Sequence, residues 1–412
     1  MKTKAVRLYG KKDLRLEEFD LPATGDGEIL IKIITDSVCM STYKTAIQGA
    51  DHIRVPNNVA EHPAIIGHEF CAEIVEVGAR WQQEYRVGDK VIVPPVLSYL
   101  GTMDTIGYSF EHIGGDSTYS LVAEHIIENG YLMKVESDAF FRASLVEPAS
   151  CVIRGFKGTF HVDEEGNHFP GIKPGGKLAL LAACGPMGLA ALDCALHGDW
   201  KPGMIVVTDL DQARLDRAAA LFDPAEAEKR GIQLVFANTA DANELLELSG
   251  GTGYDDVFVY IASPSVTELA DSILGFDGCL NFFCGPTDKH FTVPLNFYNV
   301  HYAQHHVAGT SGSTTEDMRD VVRLIQERRI DPAMMITHIG GMDAVIDTTL
   351  NFPRMPGGKK LIYPHIDLPL TALAELEEKG AEDKRFAALA QIVLAHNGLW
   401  CAEAEAYLLA HF

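Results

Sequence analysis

Long hydrophobic runs are absent from the sequence. Residues 1–20 mix charged side chains with short apolar stretches, whereas a secretory signal has a continuous apolar core. The apolar stretch at residues 178–183 is far shorter than the roughly 20 residues that a membrane-spanning helix needs. The sequence therefore predicts a cytoplasmic protein that has no membrane partner.

Positive charge is also scarce. Lys and Arg total 34 against 57 Asp and Glu, which gives a formal net charge of −23. Such a chain repels phosphate backbones and anionic lipids, so we expect neither nucleic acid nor a membrane surface as a partner. An anionic substrate would need a local basic pocket against this background field.

Closely paired cysteines are missing as well. The eight cysteines are dispersed along the chain, and residues 94–125 contain none. In a long cytoplasmic chain such cysteines are mostly reduced thiols, so one with special neighbours is a candidate metal ligand or nucleophile.

The apolar patterning predicts two kinds of fold in succession. Near the N-terminus, short apolar runs at 28–34, 72–77 and 90–93 are broken by Gly, Pro and Asp, which indicates an irregular β domain. Further along, short apolar strands alternate with helical segments, which predicts a parallel, doubly wound sheet. The predicted elements of this second region are strands at 177–183, 204–208, 234–237, 257–261 and 280–284 and helices at 189–196 and 211–222.

The C-terminal part returns to other patterns. An amphipathic helix is predicted at 315–329 and a strand near 360–363, and two helices within 369–412 separate at Asn397-Gly398. The apolar residues of these last helices could pack on their own domain or at a subunit contact, and the pattern leaves both open.

A nucleotide-binding loop is indicated where the first parallel strand meets its helix. Gly185 and Gly188 occupy the second and third glycine positions of the dinucleotide fingerprint, and Ala183 occupies the first. Gly185 lets the backbone approach a pyrophosphate and Gly188 allows close helix–strand packing, while alanine at the first position requires a negative φ. A turn without a ligand is the alternative. The predicted cofactor-binding residues of the loop are Gly185, Pro186, Met187 and Gly188.

An acidic residue at the end of the next strand bears on the choice of cofactor. Asp209 follows Gly188 at about the spacing of 20 residues at which a carboxylate binds the adenosine ribose. It would repel a 2′-phosphate, which favours NAD(H) over NADP(H), while Arg214 on the following helix partly offsets that effect.

Three separated segments carry residues with zinc-binding chemistry, namely Cys39, His68 and Glu147. A thiolate, an imidazole and a carboxylate can form a tetrahedral zinc site with one position open for substrate or water. Each residue also has a simpler explanation: Cys39 as a small buried residue, His68 as a core histidine, and Glu147 as the acidic start of a helix before Pro148.

Together these segments resemble the zinc-containing medium-chain alcohol dehydrogenases. The most specific part is Gly67-His68-Glu69, although Ala72 stands where these proteins usually have glycine. The resemblance implies an α/β protein with a GroES-like irregular β catalytic domain at 1–155 and a Rossmann nucleotide-binding domain at 156–305. Residues 306–412 would return to the catalytic domain and add a helical C-terminal extension.

The resemblance also implies a role for each residue of the site. Zinc is held by Cys39, His68 and, as in the polyol branch of the family, Glu147. Glu69 reaches the metal in some members and exchanges with water. Ser41 occupies the position whose hydroxyl takes the proton of the alcohol, and a turn or helix-cap serine is the alternative.

The family's second, structural zinc is held by four closely spaced cysteines that follow the Gly-His-Glu segment. Because residues 94–125 contain no cysteine, we expect one catalytic zinc and no structural zinc. Family members are commonly dimers or tetramers, so a homodimer or homotetramer is implied by the resemblance alone.

Within the family, the segments are similar to the sorbitol dehydrogenase and L-sorbose 1-phosphate reductase branch. That likeness implies hydride transfer between a nicotinamide cofactor and a sugar alcohol or ketose, in particular a phosphorylated one. A phosphate needs cationic or amide donors. Lys44, close to Cys39 in sequence, is the candidate, with His52 and Arg54 behind it.

Three rival functions stay open at this point. The chain could be a dehydrogenase of an unphosphorylated polyol or secondary alcohol, a zinc-free reductase of the same fold, or a non-catalytic nucleotide-binding protein. Metal content and a substrate panel separate these functions.

Overall fold

The computed structural model describes residues 1–412, which form two compact units. The division falls within the helix Val146–Gly158 and just before the helix Thr315–Gln326, whereas the domain bounds expected from the sequence lie at 155 and 305. Unit 1 consists of Met1–Pro148, Thr314–Gln326 and Ile336–Phe412, and unit 2 consists of Ala149–Ser313 and Glu327–Met335.

Unit 1 is built on two β-sheets. At the centre of the larger one lies Ile29–Val38, which pairs with Lys359–Tyr363, Cys71–Val77 and Tyr119–Val122. It is central because its aliphatic side chains are almost all buried, which stabilises a strand with neighbours on both edges. Seven of the eight strands of the larger sheet follow the spatial order Thr371–Ala372, Ile336–Gly341, Lys359–Tyr363, Ile29–Val38, Cys71–Val77, Lys90–Ile92 and Met133–Lys134, and the eighth, Tyr119–Val122, pairs with Ile29–Val38 off this path. The smaller sheet contains Asp13–Asp20, Lys2–Gly10 and Ala64–Ile65.

The helices of unit 1 are short and lie between or after these strands. The last two helices separate where the sequence predicts, because Asn397 and Gly398 both adopt the left-handed backbone conformation that ends a helix. The helices are Met40–Gln48, Glu124–Glu128, Phe140–Ser144, Thr315–Gln326, Val345–Asn351, Leu376–Lys379, Lys384–Ala395 and Ala402–His411.

Unit 2 contains the parallel, doubly wound sheet that the sequence predicts. All five strand pairs run parallel, and the first strand in sequence lies in the middle of the sheet. The buried, β-branched run of Met204–Thr208 is typical of such a strand, since helices cover both faces. The spatial order is Gln233–Ala237, Met204–Thr208, Lys177–Leu181, Tyr254–Val259, Leu274–Phe282 and His306–Ala308.

The helices of unit 2 alternate with these strands, as the sequence predicts, and a small hairpin precedes the sheet. None of the helices in the chain combines the length and the apolar character needed to cross a bilayer. The helices are Pro186–His197, Gln212–Leu221, Pro224–Lys229, Ala242–Leu248, Pro264–Ser272 and Phe297–Tyr302, and the hairpin strands are Phe160–Val162 and His168–Pro170.

Candidate active site

A cysteine, a histidine and a glutamate converge in unit 1. The potential ligand atoms of Cys39, His68 and Glu69 all lie within 4.8 Å of one another. Cys39 directly follows the central strand Ile29–Val38 and precedes the helix Met40–Gln48. The other two residues lie in the loop just before the neighbouring strand, so the pairing of two adjacent strands brings the three side chains together.

Glycine at position 67 shapes the loop that carries His68 and Glu69. Gly67 has φ of +88°, and a Cβ atom there would lie 2.3 Å from the Oδ2 atom of Asp36, so only glycine fits. The backbone N–H of Glu69 donates a hydrogen bond to Oδ1 of the same aspartate at 2.9 Å. The Gly-His-Glu segment is therefore fixed to the central strand by its backbone as well as by strand pairing.

A buried lysine holds the Glu69 carboxylate. The Lys359 ammonium group forms an ion pair with both carboxylate oxygens, and the Ser37 hydroxyl donates to one of them. Burial by itself raises the pKa of Glu69, but the charges of Lys359 and His68 together with these hydrogen bonds hold that pKa below its usual value. Glu69 is therefore ionised in this site. Lys359 is a residue of the site that sequence reasoning missed, because no motif in the sequence marks it.

Glu147 lies in the first turn of the helix Val146–Gly158 and is buried. Burial raises the pKa of Glu147 to about 7, and the charges of His68, Glu69 and Cys39 also act on it. Glu147 therefore interacts electrostatically with the cluster. The ligand atoms that lie within 4.8 Å of one another are those of Cys39, His68 and Glu69. Its part as the third zinc ligand stays a prediction.

Ser41 and Tyr108 lie beside the cluster. Burial raises the pKa of both Cys39 and Tyr108, and the Ser41 side chain acts against that effect at both residues, so it lies near them. The Tyr108 ring packs against the His68 ring with centroids 5.0 Å apart and is stacked on the His52 ring at 5.6 Å. Burial raises the pKa of Tyr108 well above its usual value, so the phenol is neutral. Tyr108 is a second residue of the site that sequence reasoning missed.

Lys44 lies on the helix Met40–Gln48, three positions after Ser41 and so on the same side of the helix, and it is half-buried. His52 and Arg54 follow this helix in a loop and are half-buried too. A role of Lys44 in binding phosphate stays a prediction.

The residues of the cluster fit a zinc ion. Thiolate, imidazole and carboxylate are the donor types that zinc takes in catalytic sites. The Nδ1 atom of His68 is buried without a hydrogen-bond partner, which is costly for a polar atom unless it has a ligand.

The predicted nucleotide loop lies in unit 2 between the strand Lys177–Leu181 and the helix Pro186–His197. A Cβ atom at Gly188 would lie 2.1 Å from the carbonyl oxygen of Ala183, so glycine is required for the close helix–strand packing. A Cβ atom at Gly185 would meet nothing within 4 Å, which leaves room for a pyrophosphate at the helix N-terminus. Alanine at the first fingerprint position requires a negative φ. Ala183 meets this requirement, because the residue with positive φ in this loop is its neighbour Ala182.

Asp209 lies directly after the strand Met204–Thr208 and touches the nucleotide loop. Its Oδ2 atom accepts a hydrogen bond from the backbone N–H of Cys184 at 3.2 Å. Arg214, on the next helix, lies 3.5 Å from Asp211 in an exposed ion pair. The structure thus joins Asp209 to the loop, while Arg214 pairs with another acid.

Two protein families match this chain in the corresponding regions. Residues 25–130 match the alcohol dehydrogenase GroES-like domain, which covers the cysteine and Gly-His-Glu segments. Residues 186–327 match the zinc-binding dehydrogenase domain, which begins in the nucleotide loop.

Full-length relatives extend both matches. L-sorbose 1-phosphate reductase from Klebsiella pneumoniae is 46% identical over 410 residues, which cover 99% of this chain and 98% of the relative. Mannitol-1-phosphate 5-dehydrogenase from Aliivibrio fischeri is 45% identical over 415 residues, with 100% and 98% covered. The crystal structure of 2R,3R-butanediol dehydrogenase from Bacillus subtilis has a TM-score of 0.69 at 24% identity and covers 88% of this chain and 100% of that chain.

The chain belongs to the zinc-containing medium-chain dehydrogenase family. It is accordingly a zinc-dependent oxidoreductase that uses a nicotinamide cofactor. The expected fold class, a GroES-like domain with a Rossmann domain, is confirmed.

Proposed function

We propose that the chain catalyses reversible hydride transfer between a nicotinamide cofactor and a phosphorylated sugar alcohol, whose oxidised partner is a ketose phosphate. The observation that carries this proposal is the converged Cys39–His68–Glu69 cluster. It occurs in a chain that is similar over its whole length to relatives named as enzymes of L-sorbose 1-phosphate and mannitol 1-phosphate.

The residues of the site have different chemical roles in this proposal. Cys39, His68 and a carboxylate, Glu147 or Glu69, would hold the zinc, which when bound acts as a Lewis acid on the reacting oxygen. The Ser41 hydroxyl would accept the proton of the substrate alcohol. Its proximity to Cys39 and Tyr108 supports this role because it places the hydroxyl next to a predicted metal ligand.

Lys359 has a positioning role in this proposal. It neutralises the buried Glu69 carboxylate and orients it beside Cys39 and His68, so that the carboxylate has a counter-charge in the site.

A preference for NAD(H) over NADP(H) is part of the proposal. Asp209 supports it because its carboxylate lies at the loop that would hold the pyrophosphate and would repel a 2′-phosphate. Replacement of Asp209 by Ser should lower the ratio of kcat/KM for NAD to that for NADP by at least about tenfold. An unchanged ratio would remove Asp209 from cofactor selection.

A substrate panel on zinc-loaded protein tests the substrate class. We expect kcat/KM for hexitol phosphates to exceed that for the same unphosphorylated hexitols by at least about 100-fold, because charge-assisted contacts to phosphate are strong. Equal efficiency on both sets would favour the alternative, an unphosphorylated polyol or secondary alcohol. Absence of NADH or NADPH formation with every polyol would overturn the proposal as a whole.

We also propose that the chain forms a homodimer or homotetramer in the cytoplasm. Exposed apolar side chains near one edge of the six-stranded sheet support self-association, among them Phe297 and Tyr302 on a helix and Val307 on the edge strand His306–Ala308. An edge strand offers unpaired backbone groups to a second copy.

A further inference from the structure

Arg54 is a half-buried cation with no acidic partner. Its Nη1 atom donates to the hydroxyl of Thr105 at 2.6 Å, and the guanidinium group has no carboxylate within ion-pair distance. The backbone carbonyl of Arg54 accepts a hydrogen bond from the Ser109 hydroxyl at 2.6 Å. The loop that carries the arginine is thus fixed on both sides while most of its five N–H donors have no acceptor from the chain.

This arrangement is unusual for the arginines of unit 1. Arg86 and Arg354 also have no carboxylate partner, but both are exposed to solvent. The remaining arginines of the unit all pair with acids: Arg7, Arg15, Arg80, Arg142, Arg319, Arg323 and Arg385. In a chain with 57 acidic residues, a partly desolvated arginine without one of them indicates that its counter-ion is not a protein carboxylate.

The position of Arg54 connects it to the active site. Thr105 and Ser109 flank Tyr108 in the sequence, and the Tyr108 ring contacts the rings of both His68 and His52. The backbone N–H of Arg54 donates to the Nδ1 atom of His52 at 3.2 Å. The charge of Arg54 also opposes the effect of burial on the pKa of Tyr108. The Arg54 guanidinium group therefore acts on Tyr108, whose ring packs against His68, and it is hydrogen-bonded to the segment that carries this tyrosine.

We propose that Arg54, oriented by Thr105, binds the phosphate group of the substrate. The guanidinium fork matches two phosphate oxygens, which is the geometry that distinguishes arginine from lysine at such sites. This inference rests on the proposed function. It gives the phosphate-binding role to Arg54, which stands behind Lys44 as a candidate when the sequence is considered alone.

The test is the phosphate preference, defined as kcat/KM for a hexitol phosphate divided by kcat/KM for the unphosphorylated hexitol. R54Q should lower this ratio roughly 10- to 100-fold, as expected for loss of a charge-assisted contact. R86Q, which removes an exposed arginine of the same unit, is the matched control and should keep the ratio. If R54Q keeps the ratio and K44Q lowers it, the phosphate is bound at Lys44 and the inference is wrong.

A binding experiment makes the result independent of turnover. Inorganic phosphate should raise the Tm of the zinc-loaded wild-type chain and of R86Q, and it should raise that of R54Q much less. Equal stabilisation of R54Q and R86Q would contradict the inference. If the wild-type chain shows no phosphate preference, the proposed substrate class and this inference fail together, whereas a wild-type preference that R54Q retains overturns the inference alone.

Discussion

The Ser41 side chain acts on the pKa of two groups in the site, the Cys39 thiol and the Tyr108 phenol. The N-cap position of the helix Met40–Gln48 belongs to Cys39, so Ser41 does not cap that helix. The position of Ser41 therefore favours a role in proton transfer over a purely structural one.

Removal of this hydroxyl should slow the reaction without releasing the metal. We expect S41A to lower kcat by about 100-fold or more, the usual loss when a proton acceptor is removed, with zinc content equal to that of the wild type. S41T, which keeps a hydroxyl, should recover most of the rate. Full kcat of S41A at every pH would show that Ser41 does not take the proton.

Local motifs account for the parts of the site that the sequence could predict. Cys39, His68 and the loop at Gly185 lie in short segments whose residue types and spacing follow directly from zinc and pyrophosphate chemistry. Lys359 contacts Glu69 from a position 290 residues away in the sequence, and nothing near Lys359 marks it as part of a site. Tyr108 is equally unmarked, because only the fold of its loop brings it onto His68.

Backbone geometry could be predicted where glycine spacing dictates it. The close packing at Gly188 follows from the fingerprint, whereas the left-handed φ of Ala182 does not, since alanine rarely adopts that conformation. The buried pair of Asp36 and Asp116 could not be predicted either. Burial raises the pKa of both carboxyl groups, that of Asp116 to about 7, and the sequence places them in unrelated segments.

At the scale of elements, the helix Ala402–His411 is fixed to unit 1 by one buried carboxylate. Glu405 accepts hydrogen bonds from the backbone N–H groups of Phe140 and Phe141, at 2.5 and 2.9 Å, and from the Tyr363 hydroxyl at 2.9 Å. The fully buried Trp400 donates to the same tyrosine oxygen at 2.9 Å. These contacts show that the helix Ala402–His411 packs on its own unit.

Glu405 should make the stability of the chain depend on pH. Burial raises its pKa to about 7 from an ordinary value of 4.5, so the folded state binds a proton that the unfolded state has already released. The free energy of unfolding should therefore fall as pH rises from about 5 to about 7, by an amount on the order of 3 kcal/mol, and level off above that range.

Urea unfolding at several pH values, followed by tryptophan fluorescence, measures this dependence. E405Q should have a flatter pH profile between pH 5 and 7 than the wild type, whatever its absolute stability. E403Q changes an exposed glutamate of the same helix and should keep the wild-type profile. Parallel profiles for E405Q and the wild type would show that Glu405 does not titrate in this range.

At the scale of the whole molecule, self-association should depend on the edge strand of the six-stranded sheet. Val307 lies on that strand and is 50% exposed, while Val87, in unit 1, is 67% exposed and serves as a control. Light scattering should give a mass that is a multiple of 45.0 kDa for the wild type and for V87K. V307K should shift the mass toward 45.0 kDa because a buried lysine at the interface is costly. A wild-type mass of 45.0 kDa would exclude the oligomer.

The zinc content of purified variants tests the central claim most directly, since the whole account depends on a metal bound at the converged side chains. Elemental analysis by mass spectrometry should find one zinc per chain in the wild type and in C284A, which removes a cysteine of unit 2 as a control. C39A and H68A should retain almost none. Full zinc occupancy in both C39A and H68A would contradict the account.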